Sequence, residues 1–148
     1  MKNLFLGVVL MLMSFCANSQ FICKSVSSDF DGNYRIAYSQ DSYGNLLKLE
    51  NVDGLVVMYI TGSYFCDDNP NVDLLFFVNG EKFVYNLDGF KSNDSKTLFL
   101  IEDLASNLVI KYFLNGTKLK VRVNETNCDD DYYEFSLGNS TNAFNFMK

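Results

Sequence analysis

The sequence predicts an all-β chain, a single antiparallel β-sandwich of about nine short strands. Three observations carry this. Short runs rich in Val, Ile, Phe and Tyr alternate with clusters of Asn, Asp, Gly and Ser, which is how strands and turns read. Two Asn-Gly dipeptides, Asn79-Gly80 and Asn115-Gly116, sit between apolar segments and can supply the left-handed backbone of a tight hairpin. The only proline, Pro70, lies in an acidic connection, and no linker-like stretch divides the chain.

Taken in order, Tyr34, Ile36 and Tyr38 share one face of the first clear strand, because side chains alternate across a strand. Leu47 and Leu49 alternate with Lys48 and Glu50 in the next. Leu55 to Ile60 is almost wholly apolar, as in a strand covered on both sides. The first hairpin runs Leu74 to Val78, Asn79-Gly80, Glu81 to Leu87. It sets Phe76 against Phe83 and Leu74 against Tyr85, with Leu75 against Val84 and Phe77 against Lys82 on the reverse face. The second is expected from Leu108 to Leu114, through Asn115-Gly116, to Thr117–Val123. It pairs Tyr112 with Leu119, Ile110 with Val121 and Leu108 with Val123, and places Lys111 opposite Lys120, a mildly unfavourable like-charge contact. Thr97 to Ile101 reads as a strand, Glu102 to Ser106 as a helical turn, and Tyr133, Phe135 and Leu137 as a strand followed by a Gly138-Asn139-Ser140 turn and then Phe144 and Phe146. The alternative architecture is an up-and-down barrel. Gly32-Asn33-Tyr34 resembles the glycine-plus-aromatic opening of lipocalin-like chains over three residues, and that resemblance implies a carrier of a small apolar ligand.

The first nineteen residues predict an address. Lys2 supplies a basic start, Leu4 to Met13 an apolar stretch too short for a membrane span, and Ala17-Asn18-Ser19 a small-residue exit. This is the pattern of a signal peptide over residues 1–19, leaving a single domain over residues 20–148 for the secreted, periplasmic or cell-surface side. A competing cut before Cys16 would make that cysteine a lipid anchor, but bulky Phe15 stands where a small residue is expected. Lys2 is the only charged residue of the segment, so its loss takes the formal charge from −6 to −7. Such an acidic surface without a basic cluster argues against nucleic acid and anionic membranes as partners. Export favours disulfides. Cys66 with Cys128 is the preferred pair, since each directly precedes an acidic loop, and pairing of either with Cys23 is the alternative.

Catalytic machinery is sparse. The chain has no histidine, which excludes His-based acid–base chemistry and Ser-His or Cys-His dyads. There is no Cys-x-x-Cys and no Gly-rich phosphate loop. An acid-dependent hydrolase would need two of Glu50, Glu81, Glu102, Glu125 and Glu134 to face each other. Asp67, Asn69, Asn71 and Asp73 recur at every second position and offer oxygens to a hard cation such as Ca²⁺, although Val72 and Val78 occupy the places of an EF-hand's turning glycine and bidentate glutamate. Asp29 to Asn33 and Asp129 to Asp131 are further oxygen-rich turns, and Asp and Asn in turns also serve their own backbone. Asn-x-Ser/Thr sequences begin at Asn93, Asn115, Asn124 and Asn139. Among 14 Phe and 9 Tyr, Tyr43 and Tyr64 fall in polar loops and are the candidate recognition residues. The function that follows is a noncatalytic exported binding or accessory module, contacting another protein through loops or a sheet face.

Overall fold

The computed structural model describes residues 20–28 and 32–148, so the expected signal segment, Cys16 and most of the Asp29–Asn33 turn lie outside the described residues. Ten strands form two antiparallel sheets packed face to face. The larger contains β1 (Ile22–Ser28), β2 (Gly32–Gln40), β3 (Leu46–Val52), β4 (Leu55–Thr61), β7 (Phe90–Lys91) and β8 (Thr97–Ile101), in the order β1-β2-β3-β4-β8-β7. The smaller contains β5 (Asn71–Val78), β6 (Glu81–Asp88), β9 (Lys118–Asn124) and β10 (Asp131–Ser136), in the order β10-β9-β5-β6. The sandwich is therefore the fold, and the closed lipocalin-like barrel is not: each sheet ends in open edges, and the space between the sheets is filled by side chains.

Alternation builds that filling. On β5, Val72, Leu74, Phe76 and Val78 point inward. Leu119, Val121 and Val123 of β9 and Tyr133 and Phe135 of β10 do the same. Across from them lie Ala37, Leu47, Leu49, Val56, Met58, Ile60, Leu98 and Leu100 of the larger sheet. Each large apolar side chain buried in this way contributes about 1.5–3 kcal/mol. Tyr34, Ile36 and Tyr38 do share a face, but it is the outer one; Ala37 and Ser39 turn to the core, and the Ser39 hydroxyl donates to the Ser136 carbonyl at 2.9 Å.

The first hairpin has the expected register: Phe76 faces Phe83, Leu74 faces Tyr85, Leu75 faces Val84 and Phe77 faces Lys82. Its turn uses φ of 51° at Asn79 and 83° at Gly80, the doubly left-handed turn that Asn-Gly enters readily and that Asp53-Gly54 also adopts between β3 and β4.

The second hairpin is corrected. Ile110–Asn115 is a helix, α1, and β9 pairs with β5 and β10 instead of with the preceding segment. Leu108 to Leu114 satisfies both periods, since Leu108, Ile110 and Tyr112 alternate while Val109 and Phe113 stand one helical turn apart. Burial decides between them. Val109 and Phe113 are both in the core, the Phe113 N–H donates to the Val109 carbonyl at 2.9 Å, and Tyr112 stacks on Phe83 with ring centroids 4.6 Å apart. The helix also frees both flanks of β9, whose Leu119 and Val121 face Phe76 and Leu74 on one side and Phe135 and Tyr133 on the other. Lys120 thereby escapes Lys111 and lies between Leu75 and Glu134. The C-terminal residues are likewise helical rather than extended: α2 (Ser140–Met147) follows the left-handed Asn139 and buries Ala143, Phe144 and Met147 against the inner side of β2 and β3. Glu102 to Ser106 forms turns ahead of α1.

Gly116 consequently has a different task from Gly80. Its φ is −78°, which any residue adopts, but a Cβ there would stand 2.6 Å from the Tyr112 carbonyl oxygen and 2.8 Å from Leu137 Cδ1. At Gly80 nothing lies within 4 Å, and only the positive φ resists a side chain. Urea unfolding should therefore rank the two substitutions. Gly80→Ala is expected to cost about 1 kcal/mol from backbone strain, and Gly116→Ala more than that, because backbone must move. A hairpin turn at Asn115-Gly116 would give two equal costs.

Candidate functional site

The outer face of the smaller sheet is uncovered among the described residues. Three rows of side chains cross it: Tyr132, Arg122, Asp73 and Asn86; Glu134, Lys120, Leu75 and Val84; Ser136, Lys118, Phe77 and Lys82. Val84 is 70% exposed and Tyr132 67%, large values for apolar and aromatic residues in the middle of strands. The turn between β2 and β3 reaches over the β10 edge of this face and encloses an open cleft of about 530 Å³, lined by Tyr43, Tyr132, Leu75 and Val84 together with Lys120 and Arg122. A neighbouring, more polar depression of about 1010 Å³ lies on the other side of the same turn.

The turn is preorganised by one carboxylate. Asp41 Oδ1 accepts the backbone N–H groups of Tyr43 at 2.9 Å and Asn45 at 2.8 Å, and Oδ2 accepts Asn45 Nδ2 at 2.8 Å. Aspartate bonded to its own loop in this way fixes the turn locally. The product is Tyr43 held at the tip with 88% of its surface exposed. Presenting a large aromatic on a rigid turn lowers the entropy lost when a partner packs against it.

Every acid in the cleft already has a donor. Asp73 accepts Arg122 Nε at 2.8 Å and Asn86 Nδ2 at 2.7 Å, and these bonds, with Asn124, hold its carboxyl below the usual carboxylate range. Glu134 binds Lys118 at 2.5 Å and Lys120 at 3.1 Å and is lowered for the same reason. A carboxylate pair acting on a glycoside needs one member kept protonated. Here both are held ionised. The remaining glutamates are dispersed: Glu50 accepts the Tyr59 hydroxyl at 2.8 Å on the far face of the larger sheet, Glu81 is in β6, Glu102 is in an exposed turn, and Glu125 sits beside the disulfide.

The disulfide joins Cys66 to Cys128 and leaves Cys23 free and half-buried on β1, where burial pushes its thiol up. With a sequence separation of 62, the bridge removes loop entropy worth roughly 4 kcal/mol from the unfolded chain on the chain-entropy account. It ties the β4–β5 connection to the β9–β10 connection, and polar bonds reinforce it. Asp67 accepts the Thr126 N–H at 2.5 Å and hydroxyl at 2.8 Å, with Asn127 alongside. Lys91 donates to the Cys66 carbonyl at 3.0 Å and pairs with Asp68 at 3.0 Å.

These bonds determine where the sequence-proposed cation ligands stand. Asp67 faces the β9–β10 connection, whereas Asn71 and Asp73 belong to β5, with Asn71 exchanging amide hydrogen bonds with Asn86. Asn69 is exposed in the connection between them. A cation would have to take Asp67 from Thr126 and Asp73 from Arg122. Tyr64 is exposed in the β4–β5 connection but is not part of the cleft lining. Tyr132, Val84 and Leu75 complete the cleft; Tyr132 could be found from its place beside the inward Tyr133, since neighbouring strand residues face opposite ways.

No protein-family model matches the sequence, and no curated protein sequence does. A crystal structure of invasion-associated protein B from Bartonella henselae is similar in fold, with a TM-score of 0.57 over 88% of this chain and 93% of that one at 14% sequence identity. At that identity the likeness concerns the fold alone. Among the described residues, no helix is long and apolar enough to cross a membrane.

Glu125 offers a direct test of the disulfide end. Its Oε2 accepts the Cys66 N–H at 2.9 Å, while Oε1 is cut off from solvent without a partner. Desolvation, aided by Asp131 and Asp67, pushes its carboxyl above the ordinary value of 4.5, against the opposing pull of the Cys66 N–H and Lys91. Between those two values the folded chain holds a proton that the unfolded chain has lost, so stability falls as pH rises through that window. Glu125→Gln, followed by thermal melting from pH 4 to 8, should flatten that fall and raise the midpoint at neutral pH; an unchanged profile would contradict the assignment.

Proposed function

We propose that this chain is a noncatalytic exported binding module that grips another protein with the cleft between Tyr43 and the outer face of the smaller sheet. The observation that carries the reading is the exposed trio Tyr43, Val84 and Tyr132 around one cleft, since aromatic and apolar anchors ringed by polar groups are how protein interfaces are built. Arg122 and Lys120 add donors at the rim, and their pairing with Asp73 and Glu134 keeps them positioned. The acids are engaged and held ionised, which supports recognition over hydrolysis. A disulfide suits a compartment outside the reducing cytosol, in agreement with the export pattern of residues 1–19. The invasion-associated description of the similarly folded protein supports a place at or beyond the cell surface.

Site-specific photocrosslinking checks this. With benzoylphenylalanine at position 43 or 132, the protein exposed to its native extracytoplasmic milieu should yield a discrete crosslinked protein, and the same group at exposed Glu102 should not. Once that partner is in hand, Tyr132→Ala should weaken binding by about 30-fold, as loss of a roughly 2 kcal/mol anchor would. Equal crosslinking from all three positions, or none from any, would reject the cleft as the binding surface.

A further inference from the structure

β6 is an edge strand whose outer side carries no neighbour among the described residues. The turn at Asn79-Gly80 makes Val78 and Glu81 a hydrogen-bonded pair, and alternation then commits Glu81, Phe83, Tyr85 and Leu87 to β5. The Gly89 N–H donating to the Pro70 carbonyl at 2.8 Å continues the same parity beyond the strand. The N–H and C=O groups of Lys82, Val84, Asn86 and Asp88 therefore face outward. Such an edge is a template for another strand, and proteins usually blunt it with charge, proline, a bulge or brevity. The other edges are blunted: β7 has two residues, β1 carries Lys24 between Cys23 and Ser25, and β10 carries Asp131 and Glu134, whereas the charges of β6, Glu81, Lys82 and Asp88, stand toward its ends. β6 instead puts Val84, 70% exposed, at the middle of eight regularly paired residues.

The edge is complementary to itself. Two antiparallel copies centred on Val84 would set Val84 against Val84 and Lys82 against Asn86, each pair exchanging both backbone bonds. On the core side Phe83 would meet Tyr85. Diagonally, Lys82 would approach Asp88 of the second copy, on the same face, and no like charges would be directly opposed. Moving the centre by two residues loses this, because centring on Lys82 opposes two lysines and centring on Asn86 carries Lys82 beyond the end of the other strand; centring on Phe83 or Tyr85 takes Val84 off its own copy and sets it against Lys82 or Asn86.

We propose that β6 pairs antiparallel with β6 of a second copy of this chain, centred on Val84, so that two four-stranded sheets become one continuous sheet with two Tyr43 clefts on the same face. Val84 also lines the cleft, so the test reads self-association of the purified chain, which needs no cleft partner. Because Val84 projects into solvent in the single chain, replacing it leaves the core untouched. Sedimentation of the purified protein from micromolar to millimolar concentration should show a monomer–dimer equilibrium. Val84→Lys and Val84→Glu should each abolish the dimer by opposing like charges at the seam, and mixing the two variants should restore it as a heterodimer. A wild-type protein that stays monomeric throughout, a Val84→Lys protein that still dimerises, or a mixture that fails to associate would each overturn the proposal.

Discussion

The pairing of β5 with β9 is the interaction on which the rest depends. It brings Leu74 against Val121 and Phe76 against Leu119, so both central strands of the smaller sheet drive a continuous apolar face into the core. The same register fixes the opposite face, because strand residues alternate: once Leu119, Val121 and Val123 point inward, Lys118, Lys120 and Arg122 must point out. A slip of one residue would bury three cations and expose the core. The charged rows that bound the cleft are thus a consequence of core packing. Asp73 then meets Arg122 across β5 and β9, and Glu134 meets Lys118 and Lys120 across β9 and β10.

The two ends of the smaller sheet are secured differently. At one end, the Cys66–Cys128 bridge, Asp67 with Thr126 and Lys91 with the Cys66 carbonyl bind the connections covalently and through charge-assisted bonds. At the other, α1 and α2 close the core with aromatic contacts, Phe21 on Phe113 at 5.5 Å and Tyr112 on Phe83, and the Ser140 hydroxyl donates to the Phe113 carbonyl at 3.0 Å. The cleft lies on a face free of either device, with a rigid Asp41 turn at its rim. That division lets one surface stay open without loosening the framework.

Much of this was legible from residue types alone. Asn79-Gly80 specified both the turn and the register of the first hairpin, because Asn-Gly is one of the few dipeptides that enter two left-handed conformations easily. Tyr43 could be singled out because a tyrosine between polar turn residues has no core to enter. Asn115-Gly116 misled for a physical reason. The apolar run before it fits both periods, and only the demand of β9 for two strand neighbours, a long-range matter, makes it a helix. The like-charge opposition of Lys111 and Lys120 was the local sign of that conflict. The spacing of Asp67, Asn69, Asn71 and Asp73 says nothing of Thr126 and Arg122, more than forty residues away, which donate to its two carboxylates. Exposure of Val84 was hidden because alternation tells which residues share a face, and only the packing of the second sheet tells which face is inside.

Nuclear Overhauser contacts across β9 test the organising pairing most directly. The account predicts backbone contacts joining β9 to β5 in the register that sets Leu74 opposite Val121 and Phe76 opposite Leu119, with helical chemical shifts over Ile110–Asn115. Contacts joining Ile110 to Val121 and Tyr112 to Leu119 would restore the hairpin and remove the basis for the cleft.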